Sequence, residues 1–86
     1  MKTVMIFTAS WCGPCKMYKP MVQALAKEFD YDFTFLDVEQ VPDLAAFYGI
    51  RNVPSTVVHD SPESFRVRPG AMTRPNLINF IEGFNQ

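Results

Sequence analysis

The sequence predicts a small α/β protein built on a four-stranded mixed sheet flanked by helices. Three observations predict it. Strand-like and helix-periodic segments follow one another in the order β-α-β-α-β-β-α across residues 1–86, read as one domain. The first two strand candidates are separated by a helical stretch, which implies a parallel pair. The last two strand candidates are separated only by turn-forming residues, so a closing hairpin adds antiparallel edges.

Each element has its own warrant. Thr3 to Ala9 is a brief β-branched and apolar run bounded by Ser10, the pattern of a buried strand. From Cys12 to about Phe29, Val22, Leu25, Ala26 and Phe29 recur at helical spacing. Pro20 lies inside that helix and is expected to kink it, because it lacks a donor and crowds the preceding turn. Asp32 to Val38 reads as a second strand. A short helix over Asp43 to Tyr48 places Leu44, Phe47 and Tyr48 on its apolar face and stops at Gly49. Ser55 to His59 and Ser64 to Arg68 are the hairpin strands, with Asp60-Ser61-Pro62-Glu63 as the turn. Thr73 is an N-cap, and Leu77, Ile78, Ile81 and Phe84 form the buried stripe of the last helix.

Composition narrows the function classes. The chain is 48% apolar, with eight Phe, three Tyr and one Trp, which supports a packed core rather than disorder. A net charge of −1 without blocks of like charge points to neither nucleic acid nor an anionic membrane. The opening Val4-Met5-Ile6-Phe7 is too short for a secretory h-region of roughly 7–15 residues. No segment approaches the roughly 18 apolar residues of a membrane span. A cytoplasmic monomer is the expectation.

Chemistry concentrates in Trp11-Cys12-Gly13-Pro14-Cys15-Lys16, which holds the only two cysteines. Two cysteines do not make a disulfide scaffold, so the pair reads as functional. A Cys-x-x-Cys where a strand gives way to a helix suits a dithiol that cycles with a disulfide. Cys12 is expected at the helix start, where free N–H groups and the dipole favour a thiolate. It is the candidate nucleophile, and Cys15, one turn further and more buried, the resolving thiol. A structural zinc needs four ligands, and His59 is the only further nitrogen or sulfur candidate, so no metal is expected. His59 itself reads as a strand-end side chain facing water.

Four stretches resemble the thioredoxin family: the Trp11–Lys16 motif, Pro20 five residues past Cys15, Tyr48-Gly49-Ile50-Arg51-Asn52-Val53-Pro54-Ser55, and Gly70-Ala71 before the last helix. The resemblance covers almost the whole chain, in a compact, glutaredoxin-sized layout that lacks the family's usual first strand and helix. It implies a thioredoxin-like fold and a protein-disulfide reductase acting through Cys12 and Cys15, with no cofactor beyond that redox-active disulfide. It also implies a cis bond before Pro54 and a substrate surface made by Trp11, Gly13, Pro14, Val53, Pro54, Gly70 and Ala71, with Met72 nearby. Lys16 and Pro20 are supporting residues. Disulfide-containing target proteins and a thioredoxin-reductase-type flavoenzyme are the implied partners. The alternatives are a glutaredoxin turned over by glutathione, against which Pro69-Gly70-Ala71-Met72-Thr73 argues, a small glutaredoxin-like donor to ribonucleotide reductase, and a redox-independent binding subunit.

One departure from the family pattern stands out. Members tend to bury an acid six positions before the first cysteine and a lysine on the neighbouring strand; here those positions are Ile6 and Phe35. Losing both avoids stranding one buried charge, but it removes the usual route for protons to Cys15.

Overall fold

The computed structural model describes residues 2–83. Its elements are β1 (Thr3–Thr8), α1 (Gly13–Glu28), β2 (Asp32–Asp37), α2 (Pro42–Phe47), β3 (Ser55–Ser61), β4 (Ser64–Pro69) and α3 (Arg74–Glu82). The sheet order is β2-β1-β3-β4. β1 pairs parallel with β2 and antiparallel with β3, and β3 pairs antiparallel with β4. The expected fold class holds, with the hairpin placing β4 at an edge and β3 between β1 and β4. The β3 residues Ser55 to Val58 are all buried, because the sheet covers both of its flanks and helices cover its faces.

Strand periodicity sorts the core into two layers. Val4, Ile6 and Val58 face α1 and α3, where they meet Tyr18, Val22, Leu25, Leu77, Phe80 and Ile81. Phe7 and Val57 face the other way, against Ala45 of α2. Of the expected apolar face of α2, Leu44 and Tyr48 pack against this layer, but Ala45 is the buried residue of the helix, and the placement of Phe47 is corrected, since it is 69% exposed. Gly49 does end that segment, with φ +70, a conformation that costs glycine little. Phe84, assigned above to the stripe of the last helix, lies outside the described residues.

α1 runs unbroken through Pro20, although the Lys16 carbonyl loses its usual donor there. The hairpin turn is shorter than expected, because β3 continues to Ser61 and only Pro62 and Glu63 turn the chain. A bulge between His59 and Ser61 absorbs the extra residue. His59 is also corrected. It is half-buried, with Nε2 2.6 Å from the Tyr48 hydroxyl and Nδ1 3.1 Å from the Ser61 carbonyl.

The end of α3 is held by charge. Arg66 donates to the Phe80 and Ile81 carbonyls, and Lys2 Nζ donates to Ile81 O at 2.6 Å. These groups meet carbonyls that a helix end leaves without intrahelical partners. Asp60 takes both arms of Arg66, at 2.7 and 2.9 Å, and lies 3.5 Å from Lys2. The Arg66 hydrogen bonds hold the Asp60 carboxyl below its ordinary value of 3.8, against a weaker opposing effect of burial. Such a group adds stability above its unfolded pKa and loses it as pH falls through the lowered folded value. Asp60→Asn is therefore expected to be less stable than wild type at neutral pH. Urea titrations should show that gap closing as the pH drops below 3.8; a gap independent of pH would count against the ion pair.

Candidate functional site

β1 delivers the chain directly to the two cysteines. Beyond Thr8, the Cys12 N–H donates to Ala9 O at 3.1 Å, closing a turn with Ser10 and Trp11 at its tip. Trp11, next to Cys12 in the chain, is 67% exposed, which excludes a core role. Cys12 is the N-cap of α1, with extended backbone, and Pro14 occupies the first turn where its missing donor costs nothing. The Cys15 N–H donates to Cys12 Sγ at 3.2 Å. A cap that accepts a backbone hydrogen bond through sulfur favours the thiolate once the pair is reduced.

Cys12 and Cys15 are joined in a disulfide, their Cα atoms 5.3 Å apart. The expected difference in depth is corrected, since both residues are buried and Cys15 is no deeper than Cys12. The sulfur-bearing turn rests on Ala9, with Val38 and Val53 packed around it. Gly13 and Pro14 are exposed over this turn, as is Lys16 behind it.

The Val53–Pro54 bond is cis. Pro54 is fully buried, and Val53 stands half-exposed against the cysteines. The Pro54 carbonyl is taken by the Gly70 N–H at 2.8 Å, and Ser55 Oγ donates to Asn52 O at 2.6 Å. Among the described residues no hydrogen bond involves the Val53 N–H or C=O. Gly70 has φ +89 and nothing within 4 Å of where a Cβ would sit, so backbone conformation rather than crowding selects glycine there. Ala71 and Met72 continue from it into an apolar groove shared with Pro14, Met17, Tyr18 and Met21. Cys12, Cys15, Val53, Pro54 and the rim of this groove therefore share one end of the sheet. Pro20 lies further along α1 and does not line it.

Two groups near this end escape a reading by motif. Met17 is 81% exposed on the groove, and its spacing of three from Pro14 is the only sequence signal for it. Tyr18 is buried, its hydroxyl 2.8 Å from Thr56 Oγ1 on the strand that follows Pro54. Burial raises the Tyr18 pKa, opposed by the Thr56 contact, the Met72 backbone and the charge of Arg68, so the phenol stays neutral. No pattern links Tyr18 to Thr56, because sheet register brings them together. Among the described residues no three His, Cys, Asp or Glu side chains are grouped as metal ligands, and no helix is long and apolar enough to cross a membrane.

The comparisons with known proteins agree with this geometry. The family profile described as Thioredoxin matches residues 1–83. Thioredoxin M4, a chloroplastic protein of Arabidopsis thaliana, is 40% identical over 80 residues, which cover 91% of this chain and 42% of that protein. The thioredoxin of Porphyra purpurea is 36% identical over 80 residues, covering 91% of this chain and 75% of its own length. A solved thioredoxin variant from Halobacterium salinarum NRC-1 superposes with a TM-score of 0.88 at 33% identity, covering 99% of this chain and 75% of its own. The chain thus spans under half of the plant relative and three quarters of the other two. With the profile, the topology and the cysteine pair at the start of α1 in accord, the chain belongs to the thioredoxin family and carries a disulfide between Cys12 and Cys15.

Proposed function

We propose that this chain is a protein-disulfide reductase that works in the cytoplasm as a monomer and is recycled by a thioredoxin-reductase-type flavoenzyme. The observation that carries the reading is the N-capped Cys12, with the Cys15 N–H aimed at its sulfur, beside the open backbone of Val53. An extended target peptide adds to Val53 by main-chain hydrogen bonds, as in strand addition, and lays apolar side chains into the groove beside Pro14 and Ala71. Trp11 and Gly13 border the same approach.

The reaction then has two exchanges. The Cys12 thiolate attacks one sulfur of the target disulfide, forming a mixed disulfide and releasing the other target sulfur as a thiolate. Cys15 attacks Cys12, closing the Cys12–Cys15 bond and freeing the second target thiol. Two electrons pass to the target and the pair is left oxidised.

Removing the second step should trap the first. Cys15→Ser, reduced and mixed with a cell extract, is expected to retain proteins as dithiothreitol-sensitive adducts, with mass spectrometry placing every linkage at Cys12. An absence of adducts above the level seen with the Cys12→Ser/Cys15→Ser double variant would overturn the reading.

A further inference from the structure

The pair of Ile6 and Phe35 leaves the second exchange without a buried charge to take the Cys15 proton. These two residues are Cα partners across β1 and β2, and Ile6 is fully buried in the α1-facing core. The floor beneath the cysteines is apolar. The same strand pair becomes polar two residues further on, where Thr8 is paired with Asp37. Side chains alternate along a strand, so Thr8 and Asp37 occupy the same face as Ile6 and Phe35, the face that packs α1.

There a crevice of about 360 Å³ opens beside the disulfide, and both Cys12 and Cys15 line it together with Asp37. The groups that face it from every neighbouring element are few. α1 contributes Lys16 and Lys19, β1 and the following turn Thr8 and Ser10, and the turn after β2 contributes Gln40. Lys19 lies one helical turn beyond Cys15, with Nζ 5.3 Å from the centroid of the Phe35 ring, so its cation leans over the apolar floor toward β2. Asp37 is the only carboxylate in this set. It is held rather than free to swing. Its Oδ1 accepts from the Glu39 N–H at 2.8 Å, and the Val38 N–H next to it is fixed to Thr8 O at 2.9 Å. Oδ2 has no hydrogen-bond partner among the described residues.

We propose that Asp37 is the proton acceptor for Cys15, one strand layer above the position where the family's buried acid would stand. The assignment rests on the disulfide-reductase reading. During resolution the Cys15 thiol gives its proton across the solvent of the crevice to the Asp37 carboxylate. The Cys15 thiolate forms the bond to Cys12 Sγ while the Cys12–target bond breaks. The departing target thiolate takes a proton from solvent, and Asp37 returns its own to solvent.

Stopped-flow reaction of the reduced protein with excess 5,5′-dithiobis(2-nitrobenzoate) separates the steps. Cys12 attack releases one thionitrobenzoate and Cys15 attack the second. Asp37→Asn keeps the side-chain oxygen that accepts from Glu39 but cannot take a proton. It is expected to leave the first release unchanged and to slow the second at least about tenfold near neutral pH. The difference should shrink as pH rises past about 8.5, where a thiol ionises unaided. Asp37→Glu should restore part of the rate, and Asp43→Asn, the same charge change on the opposite face of the sheet, should do nothing. An unchanged second release, or one slowed equally at every pH, overturns the role of Asp37 while the reductase reading stands. A wild type that shows no first release overturns both.

Discussion

Cys12→Ser is expected to reduce insulin-disulfide reduction by at least ~10³-fold, to the background set by the chemical reductant. The loss is chemical, because a serine hydroxyl offers no comparable nucleophile at neutral pH. The fold should survive. Serine is a preferred N-cap, and its oxygen can accept the same Cys15 N–H that reaches sulfur at 3.2 Å. The missing cross-link closes only a very small ring, so its removal costs at most about 2 kcal/mol relative to the oxidised protein and nothing relative to the reduced one. Circular dichroism melts under reducing conditions should therefore superpose for variant and wild type while activity disappears. A variant that kept its activity would show that electrons do not pass through this pair.

The largest effect on stability is expected at Ile6. Its side chain is fully buried and faces α1 beside Phe35, so Ile6→Asp removes roughly 3 kcal/mol of packing and places a carboxyl in an apolar site. The total, about 3–5 kcal/mol, is a large share of the roughly 5–10 kcal/mol that a small domain has to lose. Burial raises the pKa of the introduced acid above its unfolded value, so the neutral form is favoured. The deficit should then be smallest below about pH 4 and grow as pH rises through the folded pKa. Adding Phe35→Lys supplies the missing cation across the β1–β2 register and should recover about 1–3 kcal/mol at neutral pH. Denaturant titrations of the four proteins in this cycle give the coupling directly. Equal stability of Ile6→Asp and wild type at pH 8 would contradict the apolar floor described above.

Much of this molecule was legible in its sequence, and the exceptions share a cause. Strands, helices and the cysteine turn follow from local periodicity and from caps such as Thr73 and Gly49, which act within a few residues. What periodicity does not carry is register between strands. Hence the place of β3 between β1 and β4 does not follow from the hairpin alone, although its unbroken buried run at Thr56, Val57 and Val58 is the mark of a strand covered on both sides. His59 was read as solvated because its partner, Tyr48, comes from beyond α2. Phe47 falls off the buried face of α2, which Leu44 and Tyr48 do share, because six residues, fewer than two turns, determine an amphipathic direction only loosely. At the site, the cysteines and the Val53–Pro54 bond were readable as motifs. Asp37 was not, since its relation to Cys15 depends on which residue of β1 stands opposite it.

The anchoring of Pro54 has a consequence for partner choice. Its carbonyl is tied to Gly70, and Ser55 is tied to Asn52, while the cysteines exchange state within a single turn of α1. Of the ledge, Val53 packs against that turn, while the anchors of Pro54 and Ser55 lie outside it. On the proposed function, an oxidised client and a recycling reductant meet a ledge whose anchors, at Pro54 and Ser55, do not involve the cysteines. On that reading the sulfur state of the pair, rather than a movement of these anchors, decides which partner reacts, and the direction of electron flow follows potential and concentration.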